Sequence, residues 1–248
     1  MVRAAFFLGI VQGIAEWLPI SSSGHLVILR HFFHLPGNLS LDVFLHLASL
    51  LVIVIFFWKD IVSLWRAFCL QGVNTTEFHF VINIVLASFV TAAVALLLRP
   101  HEKLFSSLRV IGVCYLATAI LLLFSRRDGC RKIDRKRALL IGLVQGLAVL
   151  PGLSRSGSTI ATALIAGVNR QEAFRFSFLL AIPAIGGAAL LEVRHLTGVP
   201  VSALFAGFFV SLLLGLLSLY LLKRIVVQKY LGWFGFYCLL MCILCFLL

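Results

Sequence analysis

The stretch GLVQGLAVLPGLSRSGST, from Gly142 to Thr159, places Arg155 among serines and glycines inside a strongly apolar part of the chain. Its glycines, its proline and its Ser-Arg-Ser run interrupt the apolar pattern, so one uninterrupted helix across a membrane is not expected here. A charged side chain in such a segment costs at least about 2.5 kcal/mol, which makes it a functional-site candidate. We therefore expect a broken helical segment that brings Arg155 to a binding site.

The composition of the whole chain sets the protein class. Of its 248 residues, 62% are hydrophobic and 12% are charged, and the mean hydropathy is +1.10. So little polar surface excludes an ordinary soluble domain and predicts an all-α polytopic membrane protein. Runs long enough to span the hydrocarbon core predict six transmembrane helices, near residues 43–58, 80–98, 107–124, 174–193, 201–222 and 230–248. Two interrupted stretches, 4–35 and 138–168, predict re-entrant helical hairpins.

The opening stretch occurs twice in the chain. Without a gap, GIVQGIAEWLPISSSG (Gly9 to Gly24) aligns with GLVQGLAVLPGLSRSG (Gly142 to Gly157), with eight of sixteen positions identical at an offset of 133 residues. Three predicted spans separate the copies, and an odd number sends the second copy into the membrane from the opposite face. We therefore predict an inverted-topology repeat within one transmembrane domain, 1–248, with halves of roughly 1–124 and 138–248 and a basic loop, 125–137, between them.

The formal net charge of +12 does not indicate nucleic-acid binding, because the basic residues lie in short loops, where they set membrane topology. The loop from Arg126 to Arg137 carries seven Lys or Arg and is expected in the cytoplasm. Tracing outward from it places fourteen basic residues inside and six outside, with Arg155 in the membrane. Arg3 alone precedes the first apolar run and no small-residue cleavage pattern follows, so we expect that segment to be retained.

The two copies differ at polar positions, which predicts a site where they meet. Glu16 aligns with Val149, Ser22 aligns with Arg155, and His25 aligns with Ser158. Arg155 supplies a fixed charge and a planar fork that suits phosphate oxygens. The alternative is an arginine satisfied by Glu16 and backbone carbonyls, and both states are compatible with one site. The candidate groups predict an anion site that contains Gln12, Glu16, Ser21, Ser22, Ser23, His25, Ser154, Arg155, Ser156, Ser158 and Thr159.

Each candidate has an expected role. Glu16 lies one helical turn after Gln12, so their oxygens can hold a divalent cation such as Mg²⁺ or Ca²⁺ that also binds phosphate; alternatively Glu16 only neutralises Arg155. His25 is a candidate general acid, general base or nucleophile, with His46 second. Ser22 is a candidate nucleophile or phosphate donor. Capping and helix packing are the alternatives for the other hydroxyls, and Cys238, Cys242 and Cys245 are expected to pack rather than bind metal.

These motifs resemble a known family. The combination of Gln12-x-x-x-Glu16, Pro19-x-Ser-Ser-x-Gly-His25 and Pro151-Gly-x-Ser-Arg-Ser-Gly-x-Thr159 is similar to the undecaprenyl-diphosphate phosphatases, the bacitracin-resistance family of bacterial envelope enzymes. The resemblance covers almost the whole chain. It implies six spans, two re-entrant hairpins and an inverted repeat around a pocket. It also implies hydrolysis of undecaprenyl diphosphate to undecaprenyl phosphate and phosphate, which recycles the lipid carrier for peptidoglycan synthesis.

The resemblance carries residue roles as well. It implies catalysis by Glu16, Ser22, His25 and Arg155, a metal bound by Glu16 and Gln12, and substrate binding by Gln12, Ser21, Ser154, Arg155, Ser156 and Thr159. It further implies a divalent metal, the bacterial cytoplasmic (inner) membrane, and a site that opens to the outer face. Membrane lipids are expected partners, and the sequence leaves a homodimer open. A polyprenyl-phosphate transporter or flippase is the alternative from another class, since broken helices also suit alternating access; an anion channel is a third.

Overall fold

The computed structural model describes residues 2–33, 39–70, 72–73, 75–101, 105, 107–125, 129–192 and 199–248. Parts of the predicted first hairpin (34–35), of the basic loop (126–128) and of the run 174–193 lie outside these residues, as do Lys103 and Arg194. Within them, the chain forms α-helices and two short 3₁₀ helices. One isolated β-bridge pairs Arg131 with Val168. The α-helices are α1 (Val2–Ala15), α2 (Ser22–Phe33), α3 (Leu39–Phe56), α4 (Trp58–Leu70), α5 (Thr76–Leu98), α6 (Leu108–Phe124), α7 (Arg135–Leu147), α8 (Arg155–Ile165), α9 (Arg170–Glu192), α10 (Val201–Val227) and α11 (Trp233–Leu247).

The long apolar helices make the chain an all-α, multi-pass membrane protein. Among the described residues, four segments are long and apolar enough to cross a membrane: Thr76–Leu98, Arg170–Leu191, Val201–Val227 and Tyr230–Leu247. The predicted run 43–58 ends in a bend of 73° between α3 and α4, so these two helices form either a broken span or a re-entrant loop. The predicted run 107–124 forms α6, whose 17 residues extend roughly 25 Å. All six predicted runs are therefore helical, although two of them differ from a simple long span.

The two predicted hairpins are each a pair of short helices. Their helices contain 14, 12, 13 and 11 residues, in the order α1, α2, α7 and α8. Each is shorter than the roughly 20 residues that a membrane span needs. The chain leaves the helical conformation at 16–21 and at 148–154, where Ser21 (φ 63°) and Gly152 (φ 94°) adopt left-handed backbone conformations. We call these segments the first break and the second break.

Close contacts between small residues hold the first hairpin against α10. A Cβ atom added to Gly9 would lie 2.6 Å from the carbonyl oxygen of Gly207, and one added to Gly13 would lie 2.8 Å from that of Ser211. Both neighbours are backbone atoms, so no side chain can move aside to make room. Small residues at these positions let the two helix backbones approach, as is common in membrane proteins.

The second hairpin makes the matching contact with α5. A Cβ atom added to Gly142 would lie 2.5 Å from the carbonyl oxygen of Ala87, and one added to Gly146 would lie 3.0 Å from that of Thr91. Gly142 and Gly146 follow Gly9 and Gly13 at the offset of 133 residues found in the sequence. Their partners in α5 precede those in α10 by a constant 120 residues. The two hairpins are therefore buried in the same way, each against a helix from the other predicted half.

The last helices of the two halves cross antiparallel. Near the start of α6, Gly112 faces Cys245 at the end of α11; a Cβ atom added to Gly112 would lie 3.1 Å from that side chain. Toward the end of α6, Ala119 faces Gly235 at the start of α11, with 3.1 Å between the carbonyl oxygen and an added Cβ atom. Cys238, Cys242 and Cys245 are free and buried, which fits their predicted role in packing. This crossing forms one wall beside the two breaks.

One end of the molecule collects basic residues that the sequence assigns to the inner side. Arg175 pairs with Asp60 at 2.6 Å, which joins α9 to α4. Arg170 donates to the carbonyl oxygen of Val226 at 3.3 Å, which joins α9 to the end of α10. The bridge between Arg131 and the segment after α8 lies at the start of the same helix α9. These contacts place residues from four separate loops at one end, as the charge pattern predicts.

Candidate active site

The two breaks meet and bring the buried arginine to the first repeat copy. Arg155 is the first residue of α8, and its Nη2 donates to Oε1 of Glu16, which follows α1. The two side chains are only 14% and 8% exposed. Glu16 and Arg155 lie 139 residues apart in the chain, so only the meeting of the hairpins makes this pair. The pair joins the second copy of the repeated stretch to the first.

Glu16 is the centre of a cluster of hydrogen-bond donors. Its Oε2 accepts a hydrogen bond from Ser22 Oγ at 2.6 Å and one from Gln12 Nε2 at 3.1 Å. Gln12 is fully buried one helical turn before Glu16, as its spacing predicts. His46, the second histidine candidate, lies on α3 with its Nδ1 2.7 Å from the carbonyl oxygen of Asp42. A carboxylate in this setting can orient a hydroxyl group and accept its proton.

Two buried polar atoms of this cluster have no hydrogen-bond partner among the described residues. They are Nη1 of Arg155, a charged donor, and Oε1 of Gln12, an acceptor. Leaving a buried polar atom unpaired costs about 1–3 kcal/mol, and more for a charged group. Such atoms need a partner that the protein does not supply, either water or a bound ligand. The Arg155 atom suits an anion, and the Gln12 atom suits a cation or a hydrogen-bond donor.

In each hairpin, one serine caps the N-terminus of the second helix. Ser154 Oγ accepts a hydrogen bond from the backbone N–H of Gly157 at 3.2 Å, and Ser21 Oγ accepts one from Gly24 at 3.3 Å. These are N-cap bonds, which satisfy N–H groups that the helix itself leaves unpaired. Ser21 Oγ also accepts from the backbone N–H of Gly152 at 3.1 Å, so it ties the two breaks together. The geometry gives both serines the capping role that the sequence left open.

Two further predicted substrate-binding residues hold the second hairpin in place. Ser156 Oγ donates to the carbonyl oxygen of Leu18 in the first break, at 3.4 Å. Thr159 Oγ1 donates to the carbonyl oxygen of Arg155 at 2.7 Å and also bonds the hydroxyl of Ser177 in α9. Both side chains are almost fully buried. Their contacts fix the position of Arg155 rather than point at the unpaired Nη1.

His25 lies in a separate group of contacts. Its Nδ1 is 2.7 Å from the carbonyl oxygen of Ser21 and 3.0 Å from the hydroxyl of Tyr115, and its Nε2 is 2.6 Å from the hydroxyl of Tyr237. Both ring nitrogens are thus engaged away from Ser22. The Ser22 hydroxyl is directed at the Glu16 carboxylate, and the role of His25 as a general acid, general base or nucleophile stays a prediction.

Sequence reasoning missed the residues that come from distant helices. Tyr115 lies on α6, and Tyr237 lies on α11. Thr118, also on α6, accepts from the backbone N–H of Ser154 at 3.0 Å and donates to the carbonyl oxygen of Gly152 at 3.1 Å. None of the three belongs to a repeated motif. The available signal was a polar side chain inside an apolar span, which alone does not identify a site.

The side chains at the breaks offer part of the ligand set that a divalent cation needs. Among the described residues, no group of three or more His, Cys, Asp or Glu side chains lies together. The site instead offers oxygens, namely the unpaired Oε1 of Gln12, the Glu16 carboxylate and the Ser22 hydroxyl. Mg²⁺ commonly takes one or two carboxylate ligands and completes its shell with water and substrate phosphate. The residues present therefore fit such an ion when a phosphate is bound, and they do not form a complete protein cage.

Comparisons with known proteins cover nearly the whole chain. Residues 5–244 match the family described as bacitracin resistance protein BacA. Relatives named undecaprenyl-diphosphatase include one from Methanosphaera stadtmanae, 39% identical over 259 residues, which covers 96% of this chain and 94% of the relative. Another from Thermosipho africanus is 39% identical over 247 residues, which covers 96% and 97%. A third, from Bacteroides thetaiotaomicron, is 39% identical over 248 residues and covers 94% of each chain.

Proposed function

Because this chain belongs to the bacitracin resistance protein BacA family, we propose that it is an undecaprenyl-diphosphatase of the membrane. It hydrolyses undecaprenyl diphosphate to undecaprenyl phosphate and inorganic phosphate. The relatives that carry this name cover almost all of the chain, so the proposal concerns the whole protein. The product is the lipid carrier that envelope synthesis uses again, which links the activity to peptidoglycan synthesis and to bacitracin resistance.

One structural observation supports the proposal. Arg155 lies buried beside Glu16 with its Nη1 unpaired, in a chain where charged side chains within the membrane are rare. A guanidinium group with one edge on a carboxylate and a free nitrogen can bind a phosphate oxygen without leaving its support. Phosphoryl transfer depends on positioning and on stabilising charge, and this arrangement offers both.

The geometry favours Ser22 as the nucleophile and Glu16 as its base. The Ser22 Oγ lies 2.6 Å from Glu16 Oε2, within the range expected of a nucleophile and its base. Ser22 Oγ attacks the terminal phosphorus while Glu16 takes the hydroxyl proton, and the bond from that phosphorus to the bridging oxygen breaks. Undecaprenyl phosphate leaves. Glu16 gives that proton to the departing oxygen of undecaprenyl phosphate and is a carboxylate again. It then takes a proton from the water that attacks the phosphoserine, and it returns this proton to Ser22 Oγ as the bond from that oxygen to phosphorus breaks and inorganic phosphate leaves.

A divalent cation, Mg²⁺ or Ca²⁺, is part of the proposal. Gln12 Oε1 and Glu16 would hold it, with phosphate oxygens and water as the remaining ligands. When bound, it offsets the negative charge of the diphosphate. Gln12 reaches this place because α1 buries it one turn before Glu16, and its Nε2 keeps a bond to the carboxylate.

The proposed setting is the bacterial cytoplasmic (inner) membrane, with the site open to the outer face. The proposed halves, 1–124 and 138–248, form an inverted repeat, which the matching hairpin contacts and the antiparallel crossing of α6 and α11 support. The three predicted spans between the copies also support an inverted repeat, because an odd number of spans makes the second copy enter the membrane from the opposite face. Membrane lipids surround the apolar helices, and a homodimer stays a prediction.

Phosphate release tests the proposed function. The detergent-purified protein is given undecaprenyl diphosphate with Mg²⁺ or Ca²⁺, and then with a chelator. We expect release of inorganic phosphate that the chelator abolishes. The transport alternative predicts movement of a labelled polyprenyl phosphate across vesicles without hydrolysis of a diphosphate. Lipid movement by a folded protein that releases no phosphate with either metal would therefore overturn the proposal.

A further inference from the structure

Two tyrosines from distant helices enclose the ring of His25. The ring of Tyr237 stacks on it with the centroids 5.7 Å apart and the planes 7° apart. The ring of Tyr115 meets it edge-on, with the centroids 5.9 Å apart and the planes at 83°. Each hydroxyl lies at a different ring nitrogen, Tyr237 at Nε2 and Tyr115 at Nδ1. The imidazole therefore has one face and both nitrogens occupied.

The acceptors around the ring define its tautomer. A backbone carbonyl oxygen can only accept, so the 2.7 Å contact with Ser21 requires a proton on Nδ1 of His25. A neutral imidazole then has its lone pair on Nε2, which accepts from the hydroxyl of Tyr237 at 2.6 Å. The hydroxyl of Tyr115 is directed at the same carbonyl oxygen of Ser21, at 3.5 Å. Tyr237 is thus the partner that determines where the lone pair of His25 points.

The helix that carries Tyr237 is anchored to the site independently. The next residue, Cys238, is fully buried, and its Sγ lies 3.5 Å from the carbonyl oxygen of Pro19 in the first break. One turn earlier in α11, Gly235 packs closely against Ala119 and Leu123 of α6. These contacts fix the position of α11 beside the first break, so the Tyr237 hydroxyl is presented to His25 by a rigid support.

We propose that Tyr237 is a positioning residue of the phosphatase: its hydroxyl donates to Nε2 of His25, the candidate general acid or base, and holds the ring with Nε2 directed at α11. This inference rests on the proposed function where it concerns the rate, and on the geometry alone where it concerns the hydrogen bond to Nε2. Positioning partners of this kind fix the orientation of an active-site histidine in other enzymes. Tyr237 acts through His25 and has no contact with the groups that we assign to phosphate.

Substitution of the tyrosines by phenylalanine isolates the hydroxyl groups. Tyr237→Phe keeps the stacked ring and removes only the hydroxyl on Nε2, whereas Tyr115→Phe removes the hydroxyl near Nδ1 and leaves the carbonyl acceptor in place. Tyr220→Phe is the matched control, because its hydroxyl bonds Arg224 at the far end of α10. The ¹⁵N spectrum of histidine-labelled protein reports the two ring nitrogens of His25, assigned by their loss in His25→Asn. Phosphate release gives kcat and KM.

For Tyr237→Phe we expect the Nε2 resonance to move to higher frequency, because Nε2 loses its hydrogen-bond donor. We expect kcat to fall roughly tenfold, which corresponds to the loss of one hydrogen bond. KM should stay within twofold, since no contact with substrate is lost. Tyr115→Phe should leave the Nε2 resonance in place, and Tyr220→Phe should change neither readout. An unchanged Nε2 resonance in Tyr237→Phe would overturn the inference. So would a moved resonance with an unchanged kcat, since the contact would then have no role in the reaction.

The two readouts separate this inference from the proposed function. If the wild-type protein released no phosphate, the proposed function would fail. The ¹⁵N spectra of the same samples would still decide whether the hydroxyl of Tyr237 donates a hydrogen bond to Nε2 of His25. If the wild type is active and Tyr237→Phe lowers kcat and KM in parallel without a resonance change, the hydroxyl acts by another route and the positioning role is wrong.

Discussion

Removing the hydroxyl of Ser22 tests the assignment of the nucleophile. In Ser22→Ala the Glu16 carboxylate loses one donor, but its Oε2 keeps Gln12 Nε2 at 3.1 Å and its Oε1 keeps Arg155. No buried group is left without a partner, so the fold should be retained. Ser23→Ala is the matched control, since Ser23 is the next residue of α2 and its hydroxyl contacts only Ser21 Oγ, at 3.3 Å.

The structure sets the size of effect that separates two roles for Ser22. If its hydroxyl only orients Glu16, Ser22→Ala removes one hydrogen bond to a charged group, which raises the activation free energy by about 1.5–3 kcal/mol. At about 1.4 kcal/mol per tenfold, that limits the decrease in kcat to roughly 10- to 150-fold. If Ser22 is the nucleophile, the loss is far larger, and we expect a decrease of more than about 1,000-fold. Ser23→Ala should stay within threefold of wild type.

The assay combines steady-state release with detection of the intermediate. Phosphate release from undecaprenyl diphosphate gives kcat, and acid-quenched wild-type protein is digested and searched by mass spectrometry for a phosphorylated Ser22 peptide. Thermal unfolding in detergent checks that Ser22→Ala is folded. A folded Ser22→Ala protein that keeps more than one hundredth of the wild-type rate would show that Ser22 is not the nucleophile. Water activated by Glu16 would then be the nucleophile that the site supports.

Three further predictions follow from the same contacts. Glu16→Gln should lower phosphate release at least 100-fold, because an amide cannot take the proton of Ser22. Asp60→Asn is its control, because it removes a carboxylate from a more exposed arginine pair in which Asp60 is 36% exposed. Its rate of phosphate release should stay within threefold of the wild-type rate. Gly142→Ala should lower the unfolding temperature, since its Cβ atom would lie 2.5 Å from a backbone oxygen of α5; overpacking costs about 1–3 kcal/mol. Gly187→Ala, with nothing within 4 Å of the added atom, should unfold no earlier than wild type. EDTA should abolish wild-type turnover and added Mg²⁺ should restore it, whereas activity that survives EDTA would contradict a metal at the site.

The repeat made the central pair predictable from sequence. Glu16 and Arg155 are far apart in the chain, but the aligned copies and the odd number of spans between them required the two breaks to face each other. The interrupted hairpins were also predictable, because glycine, proline and serine clusters disfavour a continuous helix. Hydropathy likewise located the spans, since length and apolar composition are local properties.

Other features depend on tertiary contacts that carry no local signal. The sequence grouped Ser154, Ser156 and Thr159 with the substrate, yet their hydroxyls bond backbone or side-chain groups of the hairpins, because a buried hairpin must satisfy its own polar atoms. His25 was a candidate general acid, general base or nucleophile, without a partner named by the motifs. The direction of its ring is instead set by Tyr115 and Tyr237, which lie 90 and 212 residues away and outside every motif.

The most direct test of the account compares Arg155→Ala with Arg175→Ala in phosphate release from undecaprenyl diphosphate. Both changes remove an arginine from a carboxylate pair, but of the two only Arg155 lies at the meeting of the breaks, and its side chain is the less exposed, 14% against 30%. We predict metal-dependent release by wild type, a loss of at least 100-fold in Arg155→Ala, and a rate within threefold of wild type in Arg175→Ala. Near-normal release by folded Arg155→Ala protein would contradict the claim that this arginine holds the phosphate.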